Sequence, residues 1–147
     1  MHGYYRLLIV FHALAAVLGL GMITSVAIAA RVVGKSRCVA EQPIWLTPLL
    51  RYSAVSLAAM MVTGVLLDLA ASGVWRSSWW FRVSVLLLIA TGALHGQTRA
   101  IVRKDLSGDA RLSGARTGIA LLRVSKMAFG MCGLIVAITV LMEVKPF

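Results

Sequence analysis

Hydrophobic residues dominate four long segments of the chain, and polar residues gather between them. The segments cover residues 7–30, 49–71, 79–103 and 119–142, and their few charges lie towards their ends. A helix needs about 20 mostly apolar residues to cross a hydrocarbon core about 30 Å thick. The pattern therefore predicts an all-α protein of one domain, residues 1–147, in which four transmembrane helices form an antiparallel bundle.

The composition agrees with a membrane protein. Of the 147 residues, 60% are hydrophobic and 14% are charged, whereas soluble domains have about 45–50% apolar and about 25% charged residues. The excess of 15 Lys and Arg over 5 Asp and Glu could suggest nucleic acid. A DNA-binding protein, however, concentrates its basic residues on one water-soluble face. Here they lie between apolar segments, so we expect membrane lipids as partners and no nucleic acid.

Lysine and arginine are distributed unevenly on the two sides of the predicted membrane. One side holds Arg31, Lys35, Arg37, Arg51, Arg99, Arg103, Lys104, Arg111, Arg116, Arg123 and Lys126. The other side holds Arg6, Arg76, Arg82 and Lys145. Cytoplasmic loops are enriched in basic residues. We therefore predict that the basic connectors face the cytoplasm of a bacterial inner membrane and that both termini are periplasmic.

The third apolar segment ends in the polar stretch HGQTRAIVRK, residues 95–104. Arg99, Arg103 and Lys104 lie near the inner end of this helix, where long basic side chains can extend to the head groups. We expect these three residues to contact anionic lipids or a partner protein. His95 lies deeper in the bilayer, where an unpaired polar group is costly, so it requires a partner.

Two histidines within the spans raise the question of a bound metal or haem. His12 lies near the outer end of the first span, and His95 lies about 10 Å deeper in the third, which disfavours a shared iron. His95 and Met22 match in depth, and His–Met ligation of haem occurs. Soft copper(I) would suit His12, Met22 and other methionines, with Cys132. The simpler interpretation is that each histidine forms a hydrogen bond across the bundle. We therefore predict no cofactor, and copper and haem b remain open alternatives.

Asp68 is the only carboxylate well inside a predicted span. An ionisable residue within a membrane is a candidate for function. Because Asp68 lies near the outer end of its helix, a structural pair with Arg6 or Arg76 is the favoured interpretation. A proton-coupled carrier would instead need an ionisable residue near the midplane of the bilayer.

Several stretches taken together resemble a known group of membrane proteins. They are FHALAAVLGLGM in the first span, RYSAVSLAAMMVTGVLLD in the second, HGQTR in the third and the terminal VLMEVKPF. The chain is similar to small four-helix bacterial integral membrane proteins of the DUF2269 family, which in turn resemble the membrane core of CopD-type copper-resistance proteins. The resemblance covers nearly the whole chain. It implies a four-helix fold, with His12 as the position to examine for metal.

The sequence contains no nucleophile–base pair, HExxH, phosphate loop or dinucleotide fingerprint. Small residues instead recur at a spacing of four, as Ala15 with Gly19 and Gly133 with Ala137, and this spacing lets helix backbones approach closely. We therefore expect a non-enzymatic accessory subunit that packs against partner helices in a larger membrane complex. Copper handling is the second hypothesis, and electron transfer through a bound haem is the third.

Overall fold

The computed structural model describes residues 2–35, 45–106 and 114–144. These residues form four long helices: α1 (His2–Lys35), α2 (Leu46–Ala70), α3 (Trp79–Ile101) and α4 (Gly114–Val144). A short 3-10 helix, Val74–Ser77, precedes α3, and a π-helical turn, Val102–Leu106, continues it. The all-α four-helix bundle predicted from the apolar pattern is confirmed.

Each of the four helices is long and apolar enough to cross a membrane. These candidate spans are Tyr4–Lys35, Leu46–Ala70, Trp79–Lys104 and Thr117–Val144. The predicted spans lie within these limits except for Ala71, which follows the last residue of α2. The described chain therefore has the architecture of a multi-pass membrane protein.

The helices follow one another around the bundle in the order of the chain, but the contacts between neighbours are uneven. α1 packs along both α2 and α4, and α3 packs against α4, whereas α2 and α3 have few contacts. The order around the bundle is therefore α1, α2, α3, α4, with α4 packed against α1 and a loose contact between α2 and α3. We refer to the line along which α2 and α3 face each other as the α2–α3 seam.

The contact between α1 and α4 is close because glycine lies on both sides of it. A Cβ on Gly34 would lie 3.2 Å from the carbonyl oxygen of Gly118, and a Cβ on Gly118 would lie 3.2 Å from that of Gly34. Further along the same interface, the hydroxyl of Ser125 donates a 2.7 Å hydrogen bond to the carbonyl oxygen of Ala27. The two backbones therefore approach without side chains between them.

The two halves of the bundle differ in their content of basic and aromatic residues, and we name them accordingly. The basic half contains most of the lysines and arginines and consists of residues 20–35, 45–57, 92–106 and 114–132. The aromatic half, which contains three of the four tryptophans, consists of residues 2–19, 58–91 and 133–144.

Hydrophobic packing is concentrated in the basic half. Its large cluster includes Ile23, Val26, Ala27, Ala30, Leu46, Leu50, Leu121, Val124, Ala128 and Met131, each 2% exposed or less. In the aromatic half, a second and much smaller cluster consists of Ala15, Met60 and Ile138. The helices are therefore held together mainly at the basic end.

Candidate functional site

His95 bridges the α2–α3 seam through a single serine. Its Nε2 lies 2.8 Å from Oγ of Ser53, and that Oγ lies 3.1 Å from the carbonyl oxygen of Leu50. His95 is 5% exposed and Ser53 is fully buried. Because the serine hydroxyl has one proton and donates it to Leu50, Nε2 of His95 is the donor in its hydrogen bond to Ser53.

His12 makes a corresponding bond in the aromatic half. Its Nδ1 lies 2.8 Å from Oγ1 of Thr63, and the Thr63 hydroxyl donates a 2.7 Å hydrogen bond to the carbonyl oxygen of Ala59. A Cβ on Gly64 would lie 3.3 Å from Cε1 of His12. The absence of a side chain at Gly64 therefore lets the imidazole lie against the backbone of α2.

These two hydrogen bonds confirm the simpler interpretation of both histidines. Their partners Ser53 and Thr63 are separated by about 15 Å along α2, at about 1.5 Å per residue, so His12 and His95 lie at different levels. Met22 lies about 15 Å further along α1 than His12. Within the described ranges, no three His, Cys, Asp or Glu side chains are placed to hold a metal ion. The site of His12, Met22 and His95 for copper or haem stays a prediction.

Asp68 forms the ion pair that its position suggested, and its partner is Arg76. Nε of Arg76 lies 2.6 Å from Oδ2 of Asp68, which is 4% exposed, and the other carboxylate oxygen is buried with no hydrogen-bond partner among the residues that the structure describes. The chain reverses through Ser72 and Gly73, whose φ angles are +59° and +71°. This turn brings Arg76 back over the end of α2.

Aromatic rings lie next to this turn. The ring centroids of Trp75 and Trp80 are 6.5 Å apart, and those of Trp80 and Phe81 are 6.1 Å apart. Tryptophan is enriched where a membrane meets water, because its ring is apolar and its N–H is polar. The aromatic end of the bundle thus has the composition of an interfacial belt.

A cavity of about 640 Å³ opens at the α2–α3 seam in the basic half. It is lined by Thr47, Leu50, Arg51, Gly96, Arg99, Ala100, Val102 and Arg103. We call it the basic cavity. Of the predicted contact residues, Arg99 and Arg103 line it, whereas Lys104 is exposed beside it and is not part of the lining. The sequence interpretation missed Arg51, which joins this group only because α2 and α3 face each other.

The two predicted pairs of small residues have different surroundings. Ala15 and Gly19 are buried, and a Cβ on Gly19 would lie 3.4 Å from Cβ of Ser56, so this pair packs α1 against α2. Gly133 and Ala137 are exposed, and a Cβ on Gly133 would meet no atom within 4 Å. Only the first pair is therefore used inside the bundle.

α3 carries a further pair of small residues that the sequence interpretation did not select. Gly92 and Gly96 have the GxxxG spacing, both are exposed, and a Cβ on either would meet no atom within 4 Å. We call this pair the glycine face of α3. The spacing could be found in the sequence, but its outward orientation could not.

The fold and these features define a small, multi-pass helical membrane protein. Comparisons of the chain with protein-family models, with curated proteins and with solved structures give no match. The similarity to the DUF2269 family and to the CopD membrane core therefore stays a hypothesis, and it depends on the sequence stretches quoted above.

Proposed function

We propose that this protein is a non-enzymatic accessory subunit and that it binds a transmembrane helix of another protein through the glycine face of α3. The observation that carries the proposal is the open space next to two glycines of α3. A Cβ on Gly92 or on Gly96 would meet no atom within 4 Å. In lipid, helices associate through close van der Waals packing, and glycines at this spacing let a second backbone approach.

The use of the other glycines supports the same proposal. Gly19, Gly34 and Gly64 each serve a close approach between α1 and a neighbouring helix. The bundle thus already uses glycine where helices meet closely. The open pairs of small residues, Gly92 with Gly96 on α3 and Gly133 with Ala137 on α4, are suited to the same kind of contact with a helix from another chain.

The low burial of the spans is a second support. In the most hydrophobic part of each span, only 17–22% of the residues are buried within the chain. The apolar surface that remains is available to lipid and to partner helices. Such a surface suits an assembly role better than a closed catalytic centre.

We further propose that the protein lies in a bacterial inner membrane with both termini in the periplasm. The concentration of lysine and arginine in the basic half supports this orientation, because such residues favour the cytoplasmic side. In a Cys132→Ala background, a membrane-impermeant maleimide should label Cys38 only after permeabilisation and should label a Ser77→Cys variant in intact cells. The reverse labelling would overturn the orientation.

Purification in mild detergent tests the accessory role. A tagged chain should retain a partner membrane protein in fixed stoichiometry, and Gly92→Leu should release it because the added side chain fills the space for the partner backbone. Ala90→Leu is the matched control: Ala90 is also exposed on α3, but it lies about 200° around the helix from Gly92.

Retention of the partner by Ala90→Leu and its loss from Gly92→Leu would support the proposal. A wild-type chain that elutes alone, as a monomer or a homodimer, would contradict it. Equal loss from both variants would also contradict it, because the contact would then not depend on the glycine face.

A further inference from the structure

We propose that the basic cavity is a binding site for a phosphate group, carried either by an anionic phospholipid or by a soluble phosphate compound. The site shares Gly96 with the glycine face, but its three arginines are not part of that face, so this proposal does not depend on the partner helix. It involves residues of both α2 and α3, and so it would connect two helices that otherwise have few contacts.

The charges that line the basic cavity are all positive. Arg51 comes from α2, Arg99 from α3 and Arg103 from the π-helical turn, and no carboxylate is among the lining residues whose side chains the structure describes. The salt bridge found within residues 2–35, 45–106 and 114–144 is that of Asp68 with Arg76, in the aromatic half. Three like charges on one cavity repel one another, and an anion between them would remove that repulsion.

Arginine is the residue best suited to a phosphate at such a place. Its planar guanidinium offers paired N–H donors whose geometry matches two oxygens of a phosphate, and it stays charged next to a membrane. A lysine at each position would supply charge but not this paired geometry. Lys104, the lysine next to Arg103, is outside the cavity lining.

The first turn of α2 adds to the attraction for an anion. Thr47 lines the cavity within that turn, and the N-cap residue Trp45 makes no side-chain hydrogen bond to it. The free backbone N–H groups at a helix N-terminus carry a partial positive charge. Thr47 and Arg51 both belong to α2, so this attraction adds to the α2 side of the cavity, although Pro48 in the same turn has no N–H to contribute.

The size and the apolar part of the lining agree with this ligand. A volume of about 640 Å³ lies within the range of sites for small molecules. Leu50 and Val102 give the cavity an apolar wall, and Gly96 leaves it open where a side chain would intrude. Beyond the lining, the hydrogen bond between Ser53 and His95 ties the two helices together. An amphiphile with a phosphate head group fits a cavity that is basic on one side and apolar on the other.

Native mass spectrometry of the delipidated protein tests the site, with phosphatidylglycerol and phosphatidylcholine of equal chain length as probes. We expect phosphatidylglycerol to bind more tightly. Replacing Arg51, Arg99 or Arg103 by Gln should weaken its binding about tenfold or more, because each change removes charge-assisted hydrogen bonds. Lys104→Gln, the matched loss of one charge outside the lining, should weaken it less than about twofold, since a charge that does not contact the ligand is largely screened by water and salt.

A second pair of variants tests the cavity itself and separates this proposal from the partner helix. Gly96→Leu should reduce phosphatidylglycerol binding because the new leucine side chain would enter the cavity. Gly92 is not part of the lining, so Gly92→Leu should leave phosphatidylglycerol binding unchanged. Release of the partner by Gly92→Leu with normal lipid binding would show that the two sites are independent. Arg99→Lys retains the positive charge, so its affinity for phosphatidylglycerol shows whether the paired N–H donors of arginine contribute to binding.

Thermal unfolding in neutral detergent, with and without inorganic phosphate, shows whether the phosphate group belongs to a lipid or to a soluble compound. A rise in the melting temperature that disappears in the arginine variants would assign the site to a soluble phosphate compound. A response to phosphatidylglycerol alone would assign it to a lipid head group. Equal losses of binding from Lys104→Gln and from the cavity variants would overturn the proposal, as would a folded wild-type protein that responds to neither probe.

Discussion

The basic half and the aromatic half of the bundle are made from the same four helices but are held together differently. In the basic half, a large cluster of buried residues surrounds the backbone contact of Gly34 with Gly118. In the aromatic half, a small cluster is supplemented by the ion pair of Asp68 with Arg76 and by tilted and edge-to-face contacts between aromatic rings. The comparison shows that a bundle of membrane-spanning helices can be tightly packed at one end and loosely packed at the other.

Each half nevertheless contains one histidine that bonds to a hydroxyl of α2. His95 uses Ser53 in the basic half, and His12 uses Thr63 in the aromatic half. His95 is buried, whereas His12 is half-buried. The same chemical solution thus occurs in a well-packed and in a less packed environment, which allows the two halves to be compared by mutation.

The largest expected effect follows from filling the backbone contact of the basic half. In Gly34→Leu, the new side chain would meet Cβ of Leu121 at 3.1 Å and the carbonyl oxygen of Gly118 at 3.2 Å. We expect a loss of about 3 kcal/mol in the free energy of unfolding, because overpacking forces the two backbones apart. Reversible unfolding in mixed detergent, followed by helical circular dichroism, measures it.

Gly21→Leu is the control for this change, because a Cβ on Gly21 of the same helix would meet no atom within 4 Å. It should alter the stability by less than about 0.5 kcal/mol, as is usual for surface positions. Equal effects of the two variants would show that α1 and α4 do not meet through these glycines.

A pair of methionine truncations compares the packing of the two halves directly. Met131 is 0% exposed in the large cluster, and Met60 is 5% exposed in the small one. Met131→Ala should lower the stability by about 3 kcal/mol and Met60→Ala by about 1–2 kcal/mol, because a less packed site collapses around the lost atoms more easily. The same unfolding measurement applies.

Met61→Ala gives the baseline for that comparison, since Met61 is 53% exposed on the same helix as Met60. Its change should be near zero in detergent. A larger loss from Met60→Ala than from Met131→Ala would reverse the assignment of the main core to the basic half.

The sequence was sufficient for the helices but not for their arrangement. Four apolar segments predict four spans because transfer into lipid depends on local composition. In a soluble protein, an apolar stripe also reveals which face of a helix is buried. A helix in lipid is apolar on every side, so this signal is weak, and the loose contact between α2 and α3 had to come from the fold.

The candidate sites show the same limit. The pair of Asp68 with Arg76 could be anticipated because the two residues are near each other in the chain. Arg51 could not be assigned to the same cavity as Arg99 and Arg103, since that depends on which helices face each other. The outward orientation of Gly92 and Gly96 likewise depends on side-chain shape across the whole bundle.

The smallest expected effects come from the two histidine partners, and they sharpen the comparison most. Ser53→Ala should cost about 1.5 kcal/mol, near the upper end for hydrogen bonds between membrane helices, because it leaves Nε2 of buried His95 without an acceptor. Thr63→Ala should cost about 0.6 kcal/mol, the average for such bonds, because His12 is only half-buried. Thr63→Ser keeps the hydroxyl and should restore most of that loss. Unfolding curves of the three variants measure these losses of stability. If Thr63→Ala lowered the stability as much as Ser53→Ala, the aromatic half would exclude water as completely as the basic half.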